Sequence, residues 1–351
     1  MIDWLTCRIP VDLPRPVDGG HTVILDRGGQ VLKTVPHRLA VQGSFESSIA
    51  VRAPSTSELE ISGNLVKWLQ GHNLYGSADP LQLLWAVLER LAGVEGVLPC
   101  TLAEAGLEGP HSLAGTIVTR VDCTAMLSLA TPGDVLAWIR AAHATGTLTH
   151  RGRGIMREGT LVYGDASGKN FARWQIVIYS KGQEVADHNL PALMMQDAEV
   201  LEWTNRCLRT EVRLGRLELE KQGLRCLGNW NGSTAGKMWG EKMARIDFNE
   251  GDASPLQLEK LPRELRAVFA AWTTGEDVRT MMSRATFYRR RRQLQELAGV
   301  DIAIPPPSVP TAQVVPIKRV LEAVPAGRPA WADRIDRQLR DAGAIVLPTA
   351  A

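Results

Sequence analysis

Trp174-Gln175-Ile176-Val177-Ile178-Tyr179-Ser180-Lys181 is the stretch on which the fold turns. Trp174, Ile176 and Ile178 recur at every second position, so an extended chain puts them on one side and Tyr179 and Lys181 on the other. Two further runs have the same character. In Ile117-Val118-Thr119-Arg120-Val121-Asp122, Arg120 and Asp122 point the same way; in Arg209-Thr210-Glu211-Val212-Arg213-Leu214, the charged positions oppose the apolar ones. Joined in one sheet, the three strands bury one face and gather two carboxylates, a phenol and several cations on the other.

Outward from these strands the first half of the chain reads as α+β. Short β-rich runs at Thr22–Leu25, Ser48–Arg52 and Leu59–Ser62 are separated by turn signals such as Gly19-Gly20 and Gly28-Gly29. Pro80–Leu91 has helical apolar spacing, and Thr131–Ala142 begins with the Thr-Pro pair favoured at a helix start. The Gly-, Asn- and Ser-rich stretch Gly228–Gly240 marks a boundary. The expected division is an antiparallel-sheet domain over 1–228, a linker over 229–255 and a mainly helical domain over 256–351. Within the last, helices are expected at Leu256–Trp272, Glu276–Met282, Ser283–Leu297 and Ala330–Asp341, with a stiff extended connector, Ile304–Pro310, between the last two.

The chemistry suggested by the polar face is phosphodiester transfer. A tyrosine hydroxyl, with a pKa of roughly 10, is a poor nucleophile at neutral pH. It needs a metal ion or neighbouring cations to favour phenolate and to offset charge developing on a phosphate. Carboxylates are suitable ligands for Mg2+ or Mn2+. Each residue alone is more often packing or a solvated pair, and Tyr163, in Val162-Tyr163-Gly164, is a rival phenol. The turn Gly71-His72-Asn73-Leu74-Tyr75-Gly76 displays an imidazole that is a candidate metal or phosphate contact, although turn histidines are more often structural. Glu60 is a weaker ligand candidate.

A different signal lies near the C-terminus. Ser283-Arg284-Ala285-Thr286-Phe287-Tyr288-Arg289-Arg290-Arg291-Arg292-Gln293-Leu294 starts with an N-cap serine and carries five arginines. With Glu276–Met282 before it, the run reads as a helix-turn-helix whose second helix enters the major groove, held to its domain by Phe287 and Leu294. A solvated basic face is the plainer alternative. The formal net charge is only +2, so nucleic-acid affinity must be local. Five cysteines, an odd number with no CxxC pair, suggest neither a disulfide framework nor a zinc ribbon and fit a reducing cytoplasm. No apolar run is long enough to span a bilayer, so no membrane partner is expected.

Taken in order, these motifs resemble the filamentous-phage gene II / gene X replication proteins and related plasmid initiators. The likeness is carried by Met1-Ile2-Asp3, Phe45-Glu46-Ser47, Leu59-Glu60-Ile61 and Leu69-Gln70-Gly71-His72-Asn73. It continues through Arg120-Val121-Asp122-Cys123-Thr124, Ile178-Tyr179-Ser180-Lys181, Arg209-Thr210-Glu211-Val212-Arg213 and, later, Arg284–Leu297 with Gly327-Arg328-Pro329-Ala330-Trp331. The resemblance implies a rolling-circle endonuclease in the cytoplasm of a bacterial host, nicking one strand of origin DNA and keeping a 5′-phosphotyrosyl link. Mg2+ (or Mn2+) would be the cofactor, with a host helicase and polymerase as partners. Tyr179 is then the nucleophile and Lys181 a charge-offsetting group. Asp122 and Glu211 hold the metal with His72 as a third candidate, and Arg284, Arg289, Arg290, Arg291 and Arg292 bind DNA. The competing readings are a non-enzymatic DNA-binding regulator using only the arginine helix, and a mobilisation-type relaxase.

Overall fold

The three amphipathic runs form adjacent strands at the middle of a ten-stranded sheet, in which every pairing is antiparallel. In chain order its strands are β1 (Ile2–Pro10), β2 (Leu39–Gln42), β3 (Ser48–Ser55), β4 (Glu58–Asn64), β5 (Ile117–Ser128), β6 (Ile155–Arg157), β7 (Thr160–Gly164), β8 (Trp174–Ser180), β9 (Cys207–Gly215) and β10 (Val324–Pro325). The spatial order is β6-β7-β8-β9-β5-β1-β4-β3-β2, with β10 added against the end of β5. The computed structural model describes residues 1–45, 47–148, 152–164, 173–248, 261–273, 276–298, 302–303 and 323–347. The connector Ile304–Pro310 and Glu46 of the Phe45-Glu46-Ser47 motif lie outside the described residues. The fold is α+β, as the alternation implies.

One face of the sheet is apolar. Leu5, Cys7, Ile61, Val121, Cys123, Ile176, Ile178, Val212 and Leu214 are buried there in one continuous core. Helices α1 (Leu65–Gln70), α2 (Pro80–Ala92), α3 (Pro132–Thr145) and others supply the opposing side chains, among them Trp68, Leu84, Leu88, Trp138 and Ile139. The start of α3 is the one read from sequence: the Thr131 hydroxyl accepts from Asp134 N–H, and the Asp134 carboxylate accepts in return from the Thr131 N–H.

Two strands pass directly into helices. After β8, the Ser180 side chain accepts from Gln183 N–H and caps α4 (Lys181–His188), so Lys181 opens a helix instead of closing a strand. β9 passes at Gly215 into a short helix, Arg216–Lys221. The stretch expected as linker holds a helix, Thr234–Met243, packed against the sheet: Trp239 Nε1 donates to Thr210 Oγ1 at 2.9 Å, and Lys242 is fully buried against Glu218.

The C-terminal third divides in its packing. Helices Arg263–Thr273 and Arg284–Ala298 share a small core of their own through Leu265, Val268, Trp272, Phe287 and Leu294. Glu276–Met282, expected as a helix, is a turn, so the connection exceeds the 3–4 residues of a tight helix-turn-helix. Residues 323–347 return to the sheet. Val324 and Pro325 pair with Ser128 and Leu127, and the last helix, Ala332–Asp341, buries Ala332, Ile335 and Leu339 against Leu74, Tyr75, Met126, Val200 and Cys207. This second, smaller core covers one end of the sheet's polar face. No helix among the described residues is long and apolar enough to cross a membrane.

Candidate active site

Tyr179 stands at the border of that cover, half-buried, next to the last residue of its strand. Register puts Arg209 directly opposite it and Glu211 opposite Val177, so all three side chains share the polar face. The phenol donates to Glu211 Oε1 at 2.8 Å. The same oxygen lies 3.1 Å from Arg209 Nε, while Glu211 Oε2 accepts from Arg213 at 2.8 Å. Burial works to raise the Glu211 pKa, but Arg213 and Arg209 outweigh it and hold the carboxyl down at about 2. For Tyr179 burial dominates and pushes the phenol well above its ordinary value; Arg209 opposes this, and Glu211, Asp3 and Glu184 reinforce it. The resting side chain is a neutral, oriented phenol.

Beneath it runs a buried polar network centred on Asn73. Its Nδ2 donates to Asp3 Oδ1 at 3.0 Å, its Oδ1 accepts from Lys181 Nζ at 2.8 Å, and its carbonyl accepts from Arg209. Asn64 donates to the same Asp3 oxygen at 2.8 Å. Arg209 Nη2 is 2.8 Å from Asp3 Oδ2, an ion pair at an angle too poor for a hydrogen bond. Lys181 is also paired with Glu184. Burial, aided by Arg209, lowers the Lys181 pKa to about 8.

The turn that supplies Asn73 depends on a glycine. Gly71 ends α1 at φ 86°, and a Cβ there would come within 2.1 Å of the Phe45 ring. The Phe45 and Gly71 motifs, far apart in the chain, are thus one packed corner. His72 is sealed inside it. Its Nδ1 accepts from Leu74 N–H at 3.3 Å, its ring stacks edge-on to Tyr75 at 4.7 Å, and burial lowers its pKa to about 3. Nε2, left with the ring proton, has no partner.

On the solvent side, a cleft of about 630 Å3 is lined by Tyr179, Glu184, Arg213, Arg120, Gln175 and Arg157. Asp122 is buried behind two of these lining arginines, gripped by Arg120 at 2.6 Å and 3.5 Å from Arg213. Burial raises the Asp122 pKa to about 6 against the pull of those arginines. Tyr163 points to the opposite face, 1 % exposed, donating to the Ala142 carbonyl at 2.6 Å.

The structure therefore brings together Tyr179, Lys181, Glu211 and, through Arg213, Asp122. It leaves His72 apart from both carboxylates. Among the described residues no three His, Cys, Asp or Glu side chains converge as a metal site, and the carboxylate oxygens of Asp122 and Glu211 are already taken by arginines. As arranged, the expected ligand set does not fit a divalent ion. Glu60 is likewise occupied, by Arg38 and Arg52. Asp3 and Asn73 are site residues that no local pattern singles out, whereas Arg209 and Arg213 lie on the polar face where the alternation puts them, each now with a defined partner. In the arginine helix, Arg284, Arg289 and Arg292 are exposed, Arg290 and Arg291 half-buried, and Phe287 and Leu294 face the core.

Residues 1–233 match the family profile described as the N-terminal part of the replication-associated gene II protein, and residues 255–334 match that of its C-terminal part. The chain belongs to this gene II family of replication-associated proteins. One relative, the replication-associated gene II protein of Enterobacteria phage I2-2, is 36% identical over 348 residues, covering 95% of this chain and 97% of that protein. No solved structure matches.

Proposed function

We propose that this chain is a phage replication initiator that nicks one strand of its origin with Tyr179 and remains joined to the 5′ end. The observation that carries the reading is the half-buried Tyr179 phenol at an arginine-lined cleft, aimed by its bond to Glu211. Tyr179 Oη attacks the scissile phosphorus, the bond to the 3′ oxygen breaks, and that oxygen leaves as a hydroxyl, the proton given up by the phenol being balanced by the one it takes from solvent. Glu211 orients the phenol and receives its hydrogen bond; with so low a pKa it is a weak base. Arg213 and Arg120, both reaching the cleft, face the phosphate, while Lys181 acts from beneath through the local field. The 3′-hydroxyl then primes synthesis by host polymerase behind a host helicase, and reversal of the transfer rejoins the displaced strand. Dependence on Mg2+ or Mn2+ belongs to the proposal, without a ligand set; such an ion would favour phenolate and neutralise charge on the phosphate.

The test is nicking of supercoiled plasmid bearing the cognate origin, with Mg2+ or with EDTA, resolved on denaturing gels. Wild type should give a metal-dependent nick and a protein–DNA adduct, and Tyr179→Phe neither. Tyr163→Phe should retain both. Binding without a nick by the wild-type protein would leave the non-enzymatic regulator.

A further inference from the structure

The polar face extends well past the cleft. We propose that it is a track for unpaired DNA and that Trp4, stacked with Arg120, is the platform for one base of the strand; the proposal deepens the nicking reading and rests on it. Trp4 lies opposite Asp122 on β1, with the Arg120 guanidinium 4.8 Å above its ring and its indole N–H held by Thr6 Oγ1 at 3.1 Å. The ring is thus fixed, half-exposed, in a face that also carries Asp122, Arg120, Arg213 and Glu60.

Those groups are arranged in a repeating way. Asp122 carries Arg120 and Arg213, and Glu60, two strands further on, carries Arg52 and Arg38. Each buried carboxylate holds two arginines that stay 26 to 42% exposed. Such pairs pre-set guanidinium groups whose exposed edges can meet phosphate oxygens. From Tyr179, Trp4 is three strands across and four residues along, about 20 Å by strand spacing and rise. An extended strand with its scissile phosphate at Tyr179 therefore passes Trp4 a few nucleotides away. A ring lying in a sheet face can stack only on an exposed base face, which a duplex does not offer; aromatic platforms flanked by cations suit single strands.

The experiment uses the full chain and labelled origin oligonucleotides, single-stranded and duplex, with binding read by fluorescence anisotropy. An oligonucleotide carrying 5-iododeoxyuridine near the nick is photocrosslinked in parallel and the peptide mapped. Trp4→Ala should weaken single-strand binding about tenfold, Trp4→Phe by about twofold or less, and duplex binding should be unchanged; the crosslinked peptide should contain Trp4. Wild-type single-strand affinity in a Trp4→Ala protein of unchanged melting temperature would overturn the proposal. So would crosslinks confined to other segments. Should Trp4→Ala fail to fold, Trp4→Phe and the wild-type crosslink decide. Loss of the nicking reading alone would appear as a wild-type protein that never nicks yet still shows the Trp4 effect.

Discussion

At the scale of single residues, burial divides groups that look alike in sequence. Tyr179 and Tyr163 are both strand tyrosines, yet only the first reaches the cleft. Tyr163→Phe should leave nicking intact and cost about 1 kcal/mol in urea unfolding, the usual worth of one buried hydrogen bond. Lys181 gives a pH signature. With a pKa lowered to about 8, its ammonium is present below that value and lost above it. The nicking rate should therefore fall as pH rises through about 8, and Lys181→Arg should move that limb upward; an unmoved limb would remove Lys181 from the charge balance. His72 acts on stability instead. Its neutral form persists to about pH 3 in the fold, whereas the unfolded chain takes up a proton near 6.5. Its contribution is whole above 6.5 and is lost as pH falls from 6.5 towards 3, at no more than about 1.4 kcal/mol per pH unit. Urea unfolding at pH 7.5, 6 and 5 should show a shallower decline for His72→Gln than for wild type.

At the scale of elements, period-2 alternation in β5, β8 and β9 correctly put Arg120, Asp122, Tyr179, Arg209, Glu211 and Arg213 on one face, because a sheet with a single apolar core leaves strands no choice of side. The Thr131 cap was legible for the same reason of local chemistry. Asn73 and Asp3 were not, since their roles come from contacts 61 to 206 positions away along the chain, and no local pattern carries those. Nor did any periodicity show that the last helix leaves its neighbours and docks on the sheet. That docking is tight: Trp331 packs 5.7 Å from Trp203 and 5.9 Å from Tyr75, and Tyr75 Oη donates to Asp336 at 2.7 Å. Truncating a buried tryptophan costs about 3–5 kcal/mol. Trp331→Ala should lower the melting temperature and, by loosening the cover beside Asn73 and Lys181, slow nicking with no reacting group removed. Unchanged melting would show the helix to be a dispensable appendage.

At the scale of the whole molecule, a net charge of +2 leaves little long-range attraction for a polyanion, so affinity must come from local clusters. Two stand out: the arginine-carboxylate face beside Tyr179, and the helix Arg284–Ala298 with its core of Phe287 and Leu294. We propose the second as the duplex-binding element. Four successive residues on an α-helix sweep nearly a full turn, about 100° each, so Arg289–Arg292 cannot all meet one duplex. The half-burial of Arg290 and Arg291 beside exposed Arg289 and Arg292 agrees with that geometry. If about two of the four bind phosphate, replacing all four by glutamine should flatten the slope of log affinity against log salt by about two, each phosphate contact being worth about 0.9. Single-strand binding at the sheet face should keep its own slope. A duplex slope unaltered by the fourfold change would place the origin contacts elsewhere, whereas a drop near four would require the helix to be embraced by DNA on more than one side.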